Sequence, residues 1–209
     1  MGSKERRERE KEDRRRQILG AARHLLFDKG LNGTTVNKIA KMAELSVGLI
    51  YFYFKSKEEI YIALQEEGLE ILHTLIRDKA ARDDSCEARL HCIADAYFEF
   101  SETYKDYFDI LNYFLTSPER LFPANLKQQI DGHGNRILSI LDDVIQWGME
   151  RKEIAVATPR HVSIMFWSAI HGYLQLKKLR ETILHSVDYR TLYRENVNRF
   201  IESIKKSNP

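Results

Sequence analysis

The chain has 209 residues, 43% hydrophobic and 31% charged, with only 10 Gly and 4 Pro. This globular composition is long enough for one large domain or two modest ones, with a core that needs no disulfide or metal. It is too poor in turn formers for an all-β protein. The net charge of +2 hides an asymmetry: residues 1–57 hold 14 Lys+Arg against 7 Asp+Glu, a balance of +7, whereas residues 58–209 hold 19 against 24, a balance of −5.

Along the chain, residues 4–29 predict a helix. It opens on the mixed charges Lys4 to Arg16, favourable at i,i+3 and i,i+4 on a solvated face. The helix then acquires an apolar stripe at Ile18, Ala22 and Leu25, and Gly30 suits its end. Thr34-Thr35 is a cap signal for a short helix through Met42 and Ala43, and Ser46 a second for Val47–Phe54. Ser56 followed by Glu59 is a capping box for a helix reaching about Lys79. Helices of about eight residues are marginal alone in water, so the two short ones must pack on the first stripe.

Beyond them the period stays helical. One helix runs from about Ser85 through Leu90, Ile93, Tyr97 and Tyr104; the next passes Phe108, Leu111 and Phe114 to a break at Ser117-Pro118. A long helix covers roughly 125–151. Thr158-Pro159 caps one to about Arg180, and the last spans roughly 186–206. No segment alternates with period 2, so the chain is predicted all-α.

Several classes drop out. The longest apolar run, Val162–Ile170, falls far short of the ~20 residues of a membrane span. The charged N-terminus is no secretory signal, and Arg6 breaks a myristoylation pattern. Cys86 and Cys92 lack metal-ligand spacing and read as reduced thiols of a cytoplasmic protein. There is no H-E-x-x-H, phosphate loop, nucleophile motif or cofactor fingerprint. Adjacent Asp142 and Asp143 point apart on a helix and form no acid/base pair. The expectation is therefore no catalytic residue, no metal and no cofactor.

The informative stretch is GTTVNKIAKMAELSVGLIYFYFKSK, Gly33–Lys57. Val36, Ile39, Ala40, Leu45 and Ile50 form an apolar seam for two short helices meeting at a tight turn, which is helix-turn-helix geometry. Outward residues on the second helix are Val47, Gly48, Tyr51 and Tyr53. Adjacent residues on a helix point ~100° apart, so the four aromatics 51–54 cannot share one core. Phe54 and part of Phe52 are assigned to packing, Tyr51 and Tyr53 to DNA.

Thr34, Thr35, Val36, Ile39 and Ala40, followed by Ser46, Gly48, Ile50, Tyr51, Tyr53, Phe54, Lys57, Glu58 and Ile60, resemble the motif of the TetR family of bacterial transcriptional regulators. The resemblance implies a three-helix DNA-binding domain at 1–57, motif about 35–54, followed by a helical effector-binding and dimerisation domain at 58–209. It implies a DNA-facing set of Thr35, Val36, Ser46, Val47, Gly48, Tyr51, Tyr53 and Lys57. Two departures matter. Glu44 stands where Gly is frequent, at a left-handed position costing ~1–2 kcal/mol. Leu49 and Val47 replace polar residues, which favours thymine-methyl contact over hydrogen-bonded readout. The leading charged run is read as a solvated helix extension rather than a minor-groove arm.

In the body, the 158–180 helix has two apolar faces, which must both be covered. One bears Val162, Phe166, Ala169, Tyr173 and Leu176, the other Ile164, Trp167, His171 and Leu174. An isologous homodimer contact is expected at Trp167, Leu174, Tyr189, Tyr193, Val197 and Phe200. Tyr97, Phe100, Tyr104, Phe108, Trp147, Phe166 and His171 are candidates for an effector pocket, set against their plain role as core. The function expected is a repressor that binds a palindromic double-stranded DNA operator as a dimer. A small apolar or aromatic effector would release it by population shift. The alternatives are an activator, an effector-independent regulator, or a helical enzyme with a vestigial helix-turn-helix.

Overall fold

The computed structural model describes residues 3–80, 85–116, 124–155, 158–184 and 188–206. Among them are nine α-helices and no strand. They are α1 (Ser3–Gly33), α2 (Val36–Met42), α3 (Val47–Tyr53), α4 (Lys57–Ala80), α5 (Cys86–Thr103), α6 (Lys105–Thr116), α7 (Ala124–Glu150), α8 (Pro159–Gln175) and α9 (Tyr189–Ile204). The all-α expectation holds. The expected break at Ser117-Pro118, the start at Ser186 and the side chain of Phe114 lie outside the described residues. The helix expected to reach Arg180 stops as α-helix at Gln175 and tightens into a 3₁₀ turn, Leu176–Leu179.

Two compact units divide the chain: Met1–Gly68 with Tyr104–Asp131, and Leu69–Thr103 with Gly132–Pro209. The first thus recruits α6 besides the residues before 57. Its core gathers Ile18, Ala22, Leu25, Ile39, Ala40, Ile50, Phe54, Ile60, Leu64 and Ile110. This is the stripe of α1 closing on α2, α3, the start of α4 and α6. Gly30, at φ 64°, breaks the regular path of α1, and the Thr34 hydroxyl donates to its carbonyl at 2.8 Å. Gly68 lets α6 approach α4, since a Cβ there would lie 3.0 Å from Tyr107 Cβ. Tyr107 in turn donates to Glu67 at 2.9 Å.

In the second unit, Leu90, Ile93, Tyr97, Leu141, Phe166, Ile170, Leu174, Tyr193 and Val197 are all buried. Helices α8 and α9 are tied by a reciprocal pair: Tyr173 OH donates to the Tyr189 carbonyl at 3.0 Å and Tyr189 OH to the Tyr173 carbonyl at 2.8 Å. Tyr193 OH satisfies the Ala94 carbonyl on α5 at 2.8 Å. Gly148 of α7 faces Cys86, whose Sγ a Cβ would meet at 2.5 Å.

Candidate nucleic-acid interface

Helix α2 starts where Thr35, in extended conformation, accepts a hydrogen bond from the Lys38 amide on its hydroxyl at 3.3 Å. Helix α3 starts the same way, with Ser46 Oγ accepting from the Leu49 amide at 3.2 Å. Each cap satisfies an amide the helix cannot pair internally. Both hydroxyls keep their own proton to donate, so capping leaves Thr35 and Ser46 competent toward a phosphate. Between the helices Glu44 takes φ 54°, the left-handed conformation expected of this turn, and the Leu45 amide donates back to Ala40 at 2.9 Å.

Ile50 and Phe54 anchor α3 in the core, while Val36, Val47 and Tyr53 pack against its edge. Gly48 is exposed with open space around it. Tyr51 is 47% exposed and Phe52 70%. The assignment of Phe52 partly to packing is therefore corrected: it is the most exposed apolar side chain on α3. Its spacing of four from Gly48 puts the two on one helix face, a signal the sequence held. Tyr53, assigned to DNA, is half-buried and meets the Phe52 ring edge-on at 5.2 Å.

The start of α4 completes this surface. Ser56 Oγ accepts from the Glu59 amide at 3.3 Å, and Glu59 reaches back to the Lys55 amide at 2.7 Å, the capping box read one residue early on its return arm. Lys57, first residue of α4, lies over the Tyr61 ring at 5.6 Å. A cation in the first turn opposes the helix dipole, and the contact with the Tyr61 ring works against that cost.

The body residues divide differently from the expectation. Tyr97 stacks near Phe100 at 6.4 Å and meets Trp167 at 4.4 Å. The Tyr97 hydroxyl lies 2.6 Å from His171 Nδ1, and Gln175 lies 3.0 Å from Nε2. Burial holds His171 below the ordinary histidine range and Tyr97 well above the usual phenol range. Trp167, expected at a subunit contact, belongs to this cluster. Phe166 turns away to pack on Phe200 at 5.2 Å. Trp147 sits between the guanidinium groups of Arg89 and Arg151, at 3.9 and 4.6 Å, and Tyr104 and Phe108 belong to the first unit.

Leu174, Tyr189, Tyr193 and Val197 are at most 3% exposed within their own chain. They have no surface to offer a partner, and that part of the expected interface is corrected. The exposed face of α8 consists instead of Ile164, Met165, Ser168 and Gly172, continued by Leu176. Among the described residues no His, Cys, Asp and Glu gather as a metal site, and no helix is long and apolar enough to cross a membrane.

Residues 18–64 match the family described as bacterial regulatory proteins, tetR family. The HTH-type transcriptional activator FasR of Mycolicibacterium smegmatis is 28% identical over 113 residues, 52% of this chain and 51% of its own. The chain thus matches about half the length of that relative. The fatty acid metabolism regulator protein of Bacillus subtilis is 30% identical over 144 residues, 66% of this chain and 69% of its own. Among solved structures, the transcriptional regulator FadR from Bacillus subtilis in complex with stearoyl-CoA superposes with a TM-score of 0.75 at 23% identity, covering 90% of this chain and 98% of that one. On the matched helix-turn-helix and the extent of the Bacillus subtilis likeness, the chain belongs to the TetR family of bacterial regulatory proteins.

Proposed function

We propose that this chain is a homodimeric, double-stranded-DNA-binding repressor whose operator affinity falls when an acyl-coenzyme A thioester binds its second unit. The observation that carries the DNA reading is the outward face of α3. Gly48, Tyr51 and Phe52 stay exposed on a doubly anchored, N-capped helix, an arrangement with no packing purpose. Thr35, Val36, Ser46 and Lys57 flank it as phosphate partners, and Val47 with Phe52 supplies apolar contact for thymine methyls.

The effector class is taken from the Bacillus subtilis relatives, one described as a fatty acid metabolism regulator and the other as bound to stearoyl-CoA. A thioester with a long chain narrows the apolar or aromatic effector expected from the sequence. Release requires only that the ligand prefer the conformation in which the two recognition helices miss successive major grooves. The activator FasR favours the opposite sign of regulation, which the same experiment reads.

Dimerisation is assigned to the exposed face of α8. Ile164, Ser168, Gly172 and Leu176 recur every four residues, with Met165 beside them. A flat apolar face with Gly and Ser at its centre allows close helix approach across a two-fold axis.

A duplex selected by the full chain from a random-sequence library, titrated with stearoyl-CoA, stearate and free coenzyme A, tests the proposal. Loss of binding with the thioester alone supports it. Unchanged binding with all three removes the effector assignment, and tighter binding with the thioester reverses the sign.

A further inference from the structure

Helix α1 is continuous from Ser3 and projects well before its first buried residue, Ile18. Every residue from Lys4 to Arg14 is exposed. Within the mixed charges of this arm, one face carries cations alone. Lys4, Arg7, Lys11 and Arg14 recur at intervals of three, four and three, one stripe of a helix; Glu5, Glu8 and Glu12 form another. The ion pairs Arg6–Glu10, at 3.1 Å, and Arg16–Asp13 lie off the cationic stripe.

Like charges three and four apart weaken an isolated helix by ~0.2–0.5 kcal/mol per pair. Acidic neighbours three or four residues away, Glu8 for Lys4 and Lys11 and Glu10 for Arg7 and Arg14, offset this repulsion. The arm is therefore a stable helix that presents one aligned, exposed row of cations to a polyanion. Its direction is also defined. Continued by four residues, the stripe becomes Ile18, Ala22 and Leu25, the face of α1 buried in the helix-turn-helix core.

The C-caps of α2 and α3 are both tied to α1 within one turn of helix. Arg15 lays its guanidinium 4.6 Å from the Phe54 ring at the C-cap of α3, and Gln17 donates at 2.6 Å to the Ala43 carbonyl at the C-cap of α2. The helix-turn-helix is thus held to α1 at this level, and the arm emerges beyond it. From Lys4 to Arg14 it spans about 15 Å, the length of roughly four base pairs.

We propose that the cationic stripe Lys4, Arg7, Lys11 and Arg14 is a second phosphate-binding element, which follows the duplex backbone outside the groove entered by α3. The inference rests on the DNA-binding reading above. It replaces the plain solvated extension with a contact that adds affinity without sequence information.

The test compares the full chain with a Lys4→Gln, Arg7→Gln, Lys11→Gln variant on the selected duplex. Gln keeps helix propensity, and these three cations form no ion pair among the described residues. Each phosphate contact adds about 0.9 to the slope of log K against log salt, so the slope should fall by about 2.7 per bound protomer. Trimming the duplex by about five base pairs at each end should weaken wild type and leave the variant unaffected. A conservative Lys4→Arg, Arg7→Lys, Lys11→Arg variant should retain the wild-type slope. An unchanged slope in the Gln variant overturns the proposal. So does an equal fall in an Arg6→Gln, Arg9→Gln control, which removes charge off the stripe. Failure of every protein to select or hold a duplex overturns the DNA-binding reading itself.

Discussion

Gln17 of α1 donates a 2.6 Å hydrogen bond to the carbonyl of Ala43, the residue that ends α2. That carbonyl stands at a helix C-terminus, where no intrahelical donor remains, so a side chain from 26 residues earlier completes the turn. The bond fixes the entry to α3 relative to α1. Gln17→Leu is expected to lower stability by about 1 kcal/mol, read as a shifted urea midpoint at unchanged slope. A midpoint equal to wild type would show that water serves the carbonyl equally well.

Glu44, beside it, holds φ 54°. A side chain in that region costs ~1–2 kcal/mol, while glycine adds ~0.4–1 kcal/mol of unfolded-chain entropy. Glu44→Gly should therefore stabilise the chain by about 0.5–1 kcal/mol, with duplex affinity retained. Destabilisation in thermal unfolding would mean that the turn is not strained.

Phe52, 70% exposed, has little to contribute to folding. Phe52→Ala should leave stability within ~0.5 kcal/mol and weaken binding of the selected duplex about tenfold, the loss of ~1.4 kcal/mol of groove contact. Tyr51→Phe, which removes one hydroxyl, should weaken it less. Fluorescence anisotropy on the same duplex measures both, and wild-type affinity for Phe52→Ala would remove that residue from the interface.

His171 is kept below its ordinary value of 6.5 by burial. The unfolded chain therefore binds a proton that the folded chain refuses. Stability from this group is complete above about pH 6.5 and is lost as pH falls through the lowered folded value. His171→Gln should lose less stability than wild type between pH 7.5 and pH 5, in parallel urea titrations. Identical pH profiles for the two proteins would count against a neutral buried imidazole.

The α8 face predicts its own disruption. Met165→Glu and Gly172→Trp place a charge or bulk on exposed positions without touching the core, so each variant should stay folded. Light scattering should find both as monomers, with duplex binding weakened because one recognition helix holds only one half-site. Dimers of wild-type mass would locate the contact elsewhere.

Thr35, Ser46, Ser56 with Glu59, Gly30 and Glu44 act within a few residues of themselves, through one hydrogen bond or one dihedral. Composition and spacing were therefore enough to read the helix starts, the turn and the helix-turn-helix. The hydrophobic period likewise named Ile18, Ala22 and Leu25 as the seat for two helices too short to stand alone. Facing, in contrast, depends on which neighbour reaches a helix first. Tyr189, Tyr193 and Val197 look like interface on a wheel, yet α5 and α8 bury them. Trp167 joins Tyr97 and His171, leaving Ile164, Met165, Ser168 and Gly172 as the open side of α8. The opening charge asymmetry shows the same limit. A balance of +7 over residues 1–57 identified a basic segment, but only a helix continuous from Ser3 aligns Lys4, Arg7, Lys11 and Arg14 as one exposed row that runs on into the face buried in the helix-turn-helix core.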